Sequence, residues 1–131
     1  MRIIEHKGTV IGIHITRDIE PGTKPLTNDS EPLQVLSHNR PAGDIVISHY
    51  HKKISRNTDF LQEGIVLLDG LIEVDIFTEQ KYFIETIKIK AGESFILQNG
   101  GWGIRIIEDS KMIEFKNGPY MDDRINLETL K

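Results

Sequence analysis

Apolar and polar residues alternate one by one in several stretches of this chain, and that period of two is what most limits its fold. In "GLIEVDIF", Ile72, Val74 and Ile76 alternate with Glu73 and Asp75, so one face of an extended chain is apolar and the other charged. The Asp69-Gly70 pair just before it tolerates positive φ and signals a tight hairpin after "IVLLDG". The turn "TEQK" leads into "YFIETIKIK", where Ile87 and Ile89 alternate with Lys88 and Lys90, and Ala91-Gly92 breaks that strand before "SFIL". "NGGWG" is another break, followed by "IRII", the turn "EDSK" and "MIEF". Upstream, "VIGIHIT" sets Ile11, Ile13 and Ile15 on one face and His14 on the other, and "PLQVLSH" and "DIVISHYH" are two further strand candidates. About nine or ten short strands at this spacing describe a sandwich or barrel joined by hairpins. The turn-rich "RDIEPGTKPLTNDSE" is expected to wrap the surface, and a short helix in "MDDRINLETLK" has only weak apolar spacing. The expectation is one all-β domain over residues 1 to 131.

Composition narrows the chemistry. A chain of 131 residues can bury a core without covalent staples. Its net charge of −4 argues against a nucleic-acid partner. With no cysteine there is no thiolate nucleophile and no sulfur ligand, so any metal would be held by nitrogen and oxygen. "MRIIEHKGTV" is too short and too charged for a signal peptide. No apolar run approaches the ~20 residues that span a bilayer. The expected location is the cytoplasm, with no membrane partner.

The stretch "DIVISHYHKK" carries the first functional signal. If it is a strand, His49 and His51 leave on the same face as Ile45 and Ile47, with Tyr50 on the other. Two imidazoles at i and i+2 stand side by side, close enough to share one cation. The competing reading is a pair of solvent histidines on an edge strand. In "DFLQEGIVLLDG" the odd positions Leu61, Glu63, Ile65 and Leu67 share a face that is apolar except for Glu63. A carboxylate there is costly unless it is paired, hydrogen-bonded or bound to a metal. A shift of strand phase would instead put it in solvent.

"HYH", then Glu63, then Gly70 seven positions later resembles the first motif of the cupin superfamily. The counterpart of the second motif is Gly92, "ESFIL", "QNGG" and Trp102, and "GIRIIEDSKMIEFKNGPY" is similar to the corresponding region of small single-domain bacterial cupins. The similarity spans roughly residues 40 to 121. It implies a small antiparallel β-barrel or double-stranded β-helix of the jelly-roll kind, and a homodimer. It also implies His49, His51 and Glu63 as ligands of a divalent metal (Fe, Zn, Mn or Ni) or as catalytic groups, and a sugar or nucleotide-sugar of surface-polysaccharide metabolism as ligand. The gap of eleven residues between His51 and Glu63 is longer than in the general motif. Trp102 stands where a further histidine is expected, and an indole N–H cannot ligate a metal.

Without a metal, a histidine oriented by a carboxylate acts as general base, with Tyr82 or Tyr120 as candidate acid. Trp102 on its glycine-rich turn suits stacking on a sugar ring. Arg40 and Arg105 are candidates for binding a phosphate or carboxylate, against the simpler expectation that they are solvated. The strand "VIGIHIT" could add to a neighbour's sheet and so make the dimer. Three functions follow as expectations: an enzyme on a small polar substrate, a non-catalytic binding module using the same cavity, or a structural subunit with a degenerate site.

Overall fold

The computed structural model describes residues 1 to 127, and their regular structure is all β. Strands β1 (Arg2–His6) and β2 (Thr9–Ile15) form a hairpin whose two turn residues, Lys7 and Gly8, both have positive φ (50° and 82°). That mirror-image turn matches the right-handed twist of the strands it joins. Strands β3 (Gly22–Pro25) and β4 (Leu36–Asn39) form a small separate sheet. The rest of the frame is β5 (Glu63–Phe77), β6 (Phe83–Lys90), β7 (Ser94–Leu97) and β8 (Gly101–Lys116). The large sheet runs β1-β2-β7-β5-β6, with β8 paired along β5, and every pairing is antiparallel. It curls into a half-barrel, and an Arg2–Glu85 ion pair at 2.7 Å joins β1 to β6 across the curl. The all-β, antiparallel, barrel-like architecture expected from the alternation is therefore present.

Strand β5 organises the molecule because it has three partners. Residues Glu63 to Val66 pair with β7, Leu71 to Phe77 with β6, and nearly its whole length with β8. Asp69-Gly70 is not the hairpin expected from the sequence. It is a run of register shifts inside one continuous strand. Gly70 sits at φ 97°, and a Cβ there would collide with Ser110 and the Asp109 carbonyl of β8. The bulge switches which parity faces the core: Ile65 and Leu67 are buried before it, Ile72, Val74 and Ile76 after it. With Ile4, Ile11, Ile87, Ile89, Phe95 and Leu97 they form the core, flanked by half-buried Trp102, Ile104 and Met112.

Other expectations change as well. "DIVISHYH" is not a strand: between Asn39 and Glu63 no residue is in one, and Ile45, Val46 and Ile47 are 75%, 59% and 80% exposed. Alternation alone does not hold a strand, because an extended chain without a neighbour leaves its backbone groups to water and buries nothing. The turn-rich "RDIEPGTKPLTNDSE" contributes β3 rather than only wrapping the surface. "VIGIHIT" lies between β1 and β7, so both its edges are already occupied and it cannot extend a neighbour's sheet. Of the helix expected in "MDDRINLETLK", residues 121 to 127 are irregular, and 128 to 131 lie outside the described residues.

Candidate functional site

The site is built from the near end of β5. Gln62, only 1% exposed, ties three segments together at that point. Its backbone N–H donates to Asn117 Oδ1 at 2.8 Å, its Oε1 accepts from the Leu33 amide at 3.0 Å, and its Nε2 donates to Glu31 Oε2 at 2.6 Å. The next residue, Glu63, is thereby held at the strand's start. It lies opposite Leu97 of β7 on one side and Lys116 of β8 on the other. It shares the concave face with Ile65 and Leu67, as the odd-position pattern predicts.

Glu63 is half-buried, and its pKa is raised. Burial is the main cause, and the nearby Glu114 carboxylate adds to it, while Lys116 works in the opposite direction. Among the described residues no donor hydrogen-bonds its carboxylate. Lys116 turns instead to Glu114, at 3.2 Å. The result is a carboxylate that is partly stripped of water and not fully compensated.

Glu63 opens onto a groove of about 950 Å³ between the concave face and the irregular segment after β8. Trp102, Ile104 and Leu97 wall it on the sheet side, and the chain from Asn117 to Leu127 borders it on the other. Trp102 lies opposite Ile76 in the β5–β8 ladder, which fixes it to the concave face. Its ring packs against Phe95 with centroids 5.8 Å apart. It therefore packs on the core on one side and walls the groove on the other. Tyr120 also borders the groove, whereas Tyr82 lines a separate depression near His6 and Thr78.

The other candidate residues are placed elsewhere. His49 and His51 are exposed on the irregular segment after β4, not on an inward strand face. Their rings meet edge to face with centroids 5.4 Å apart. His49 Nδ1 lies 2.7 Å from the Ile47 carbonyl. A carbonyl only accepts, so Nδ1 donates the hydrogen of that contact. Among the described residues no three His, Asp or Glu side chains are grouped to hold a metal ion, so Glu63 does not join the two histidines within one chain. The three residues as placed do not fit the metal that the cupin resemblance implies. Arg40 donates to Thr23 and Asp44, and holds the Asp44 carboxyl below its ordinary range. Arg105 forks onto Asp75 through Nε and Nη2, both at 3.0 Å, and reaches Glu73 with Nη1. Neither arginine lines the groove.

Two features had no sequence reading. Glu114, Lys116 and the tail beside Glu63 come together only because β8 pairs with β5 over its full length. His14 Nε2 lies 3.0 Å from Glu93 Oε1, both side chains about 15% exposed, pinning β2 to the β6–β7 turn. The polar parity of His14 in "VIGIHIT" was its one sequence signal, and nothing in the sequence pointed to Glu93 as partner. No known family model, curated protein or solved structure matches this chain.

Proposed function

We propose that this protein binds a small polyhydroxylated molecule, of the sugar or nucleotide-sugar class, in the groove walled by Trp102 and Glu63. The observation that carries this reading is Glu63 itself. A half-buried carboxylate with its pKa raised by burial, open to a groove and without a hydrogen-bond donor among the described residues, is a site waiting for a ligand's hydroxyl. A sugar supplies such a hydroxyl, and its C–H face suits the exposed side of the Trp102 indole. The likeness of residues 40 to 121 to small cupins supports a ligand from surface-polysaccharide metabolism.

The chemistry available is proton handling. A desolvated carboxylate is a stronger base than a hydrated one, and Glu63 can take a proton from a bound hydroxyl or from carbon beside a carbonyl. Tyr120, on the same groove, offers a phenolic O–H as the acid on the other wall.

The chain has a single tryptophan, so its emission reports on this groove alone. Titration with nucleotide-sugars should quench or shift Trp102 fluorescence, and Glu63→Gln should weaken the response at least tenfold. Turnover of the bound compound by the wild type and its loss in Glu63→Gln would make the site catalytic. Saturable binding without turnover would make it a binding module. No change in Trp102 emission at millimolar ligand would end the reading.

A further inference from the structure

Two surfaces of the molecule lack the partner that their residues require, and each fits the other. The first is residues 44 to 51, "DIVISHYH", a strand pattern without a strand, with Ile45, Val46, Ile47 and Tyr50 between 59% and 91% exposed. The second is the outer edge of β8. Among the described residues β8 pairs only with β5. Its other edge is a row of unpaired backbone groups along a 16-residue strand, with Ile106 and Ile107 56% and 47% exposed. An exposed strand edge is a template for an added strand, and the stretch from Trp102 to Ile107 of this one is mostly apolar. Beside it Trp102, Ile104 and Met112 are packed on the core but only half covered.

We propose that the occupant of this edge is residues 44 to 51 of a second copy of the chain, exchanged reciprocally in a two-fold dimer that completes each half-barrel. One chain carries both the strand and the edge, which is the condition for a self-complementary interface in which each copy donates and accepts once. Within the chain the donor is held at both ends. Arg40 binds Asp44 and Thr23 at one end, and Asn117 binds Thr58 and Phe60 at the other. Residues 45 to 57 therefore project as a loop.

Charge agrees as well. The donated end carries His49, His51, Lys52 and Lys53, while the groove beside β8 is bordered by five carboxylates, Glu63 and Glu114 among them, against two cations. Parity sets the register. If the apolar face of the donor covers the half-buried side of β8, Ile47 lies opposite Ile106, His49 opposite Ile104 and His51 opposite Trp102 in an antiparallel ladder. Val46 then meets Ile107 on the outer face. The partner's imidazoles would reach the groove that holds Glu63, which explains why the three do not meet within one chain. The dimer stands without any ligand. Only the role of the delivered histidines rests on the reading of the groove given above.

The chain has no cysteine, so engineered thiols give a clean test. Val46→Cys combined with Ile107→Cys places two thiols across the ladder, where opposed strand residues have Cα spacings that a disulfide accepts. After oxidation, a non-reducing gel should show a covalent dimer. An equal mixture of the two single variants should give a heterodisulfide. A disulfide-closed monomer would overturn the proposal by showing that the segment docks in its own chain, and free thiols would overturn it by showing that the segment does not dock there. Light scattering on the unmodified protein should give twice the 15.0 kDa chain mass. A monomer would overturn the proposal even if the double variant does not fold. A dimer that leaves Trp102 emission unchanged with every nucleotide-sugar would sink the ligand reading and leave the exchange standing.

Discussion

Two of the carboxylates on strand β5, Glu63 and Asp75, lie near opposite ends, and the molecule treats them in opposite ways. Asp75 is 2% exposed and accepts from the Arg105 guanidinium on both oxygens and from the Thr86 hydroxyl at 2.5 Å. Glu63, at the near end, is half-buried beside Glu114 and looks onto a groove. The far end closes its charge into a compensated network between β5, β6 and β8, which is what structural burial of an acid requires. The near end leaves its charge underpaid by solvent and protein alike, which is how binding and catalytic sites are made. The difference teaches where in this fold to look for function: not at the best-formed ion pair, but at the carboxylate the fold leaves incompletely satisfied.

The sharpest way to break the comparison is at the core beneath the far end. Ile72→Ala, at a fully buried position, should cost about 3 kcal/mol in urea unfolding and leave ligand-dependent Trp102 emission intact in the folded fraction. Asp75→Ala should cost about 2 kcal/mol, since it removes the acceptor of the Arg105 fork and of Thr86. A cost near zero would mean the far-end network is not structural.

Glu93→Gln gives a reference carboxylate. Burial pushes Glu93 up, but the Lys90 amide and the His14 ring outweigh it and hold its pKa low. A lowered pKa adds stability above the unfolded value that disappears as pH falls through the folded one. The variant should lose less than ~1 kcal/mol at pH 7, and the deficit should close in acid. Glu63→Gln should behave with the opposite sign. A raised pKa means the stability is present in acid and lost as pH climbs through the folded value, so the charged form is the costly one at neutral pH. The variant should therefore gain up to ~0.5 kcal/mol at pH 7 and little at ~pH 4. A loss at pH 7 would mean Glu63 is a structural acid like Asp75.

Much of this was legible in advance. The inward faces of Ile65 and Leu67 and of Ile72, Val74 and Ile76 follow from parity, as does the place of Glu63 among inward aliphatics. The Asp-Gly turn signal at residues 69 and 70 marked a real break, but local propensity cannot tell a hairpin from a bulge. That was decided by β8 running unbroken past it. "DIVISHYH" is rich in strand-forming residues and is not a strand within the chain, because pairing needs an edge and the sequence does not say where edges fall.

What the residues determined by themselves is the period of two, and with it an all-β chain whose apolar faces must find one another. Side-chain direction along an extended backbone is set locally, so it can be read one residue at a time. What only tertiary structure decided is which strands meet: Lys116 and Glu114 beside Glu63, Arg105 on Asp75, and His49 and His51 apart from the groove. Those neighbours lie tens of residues apart in sequence, and contacts at that range are chosen by the folded sheet as a whole.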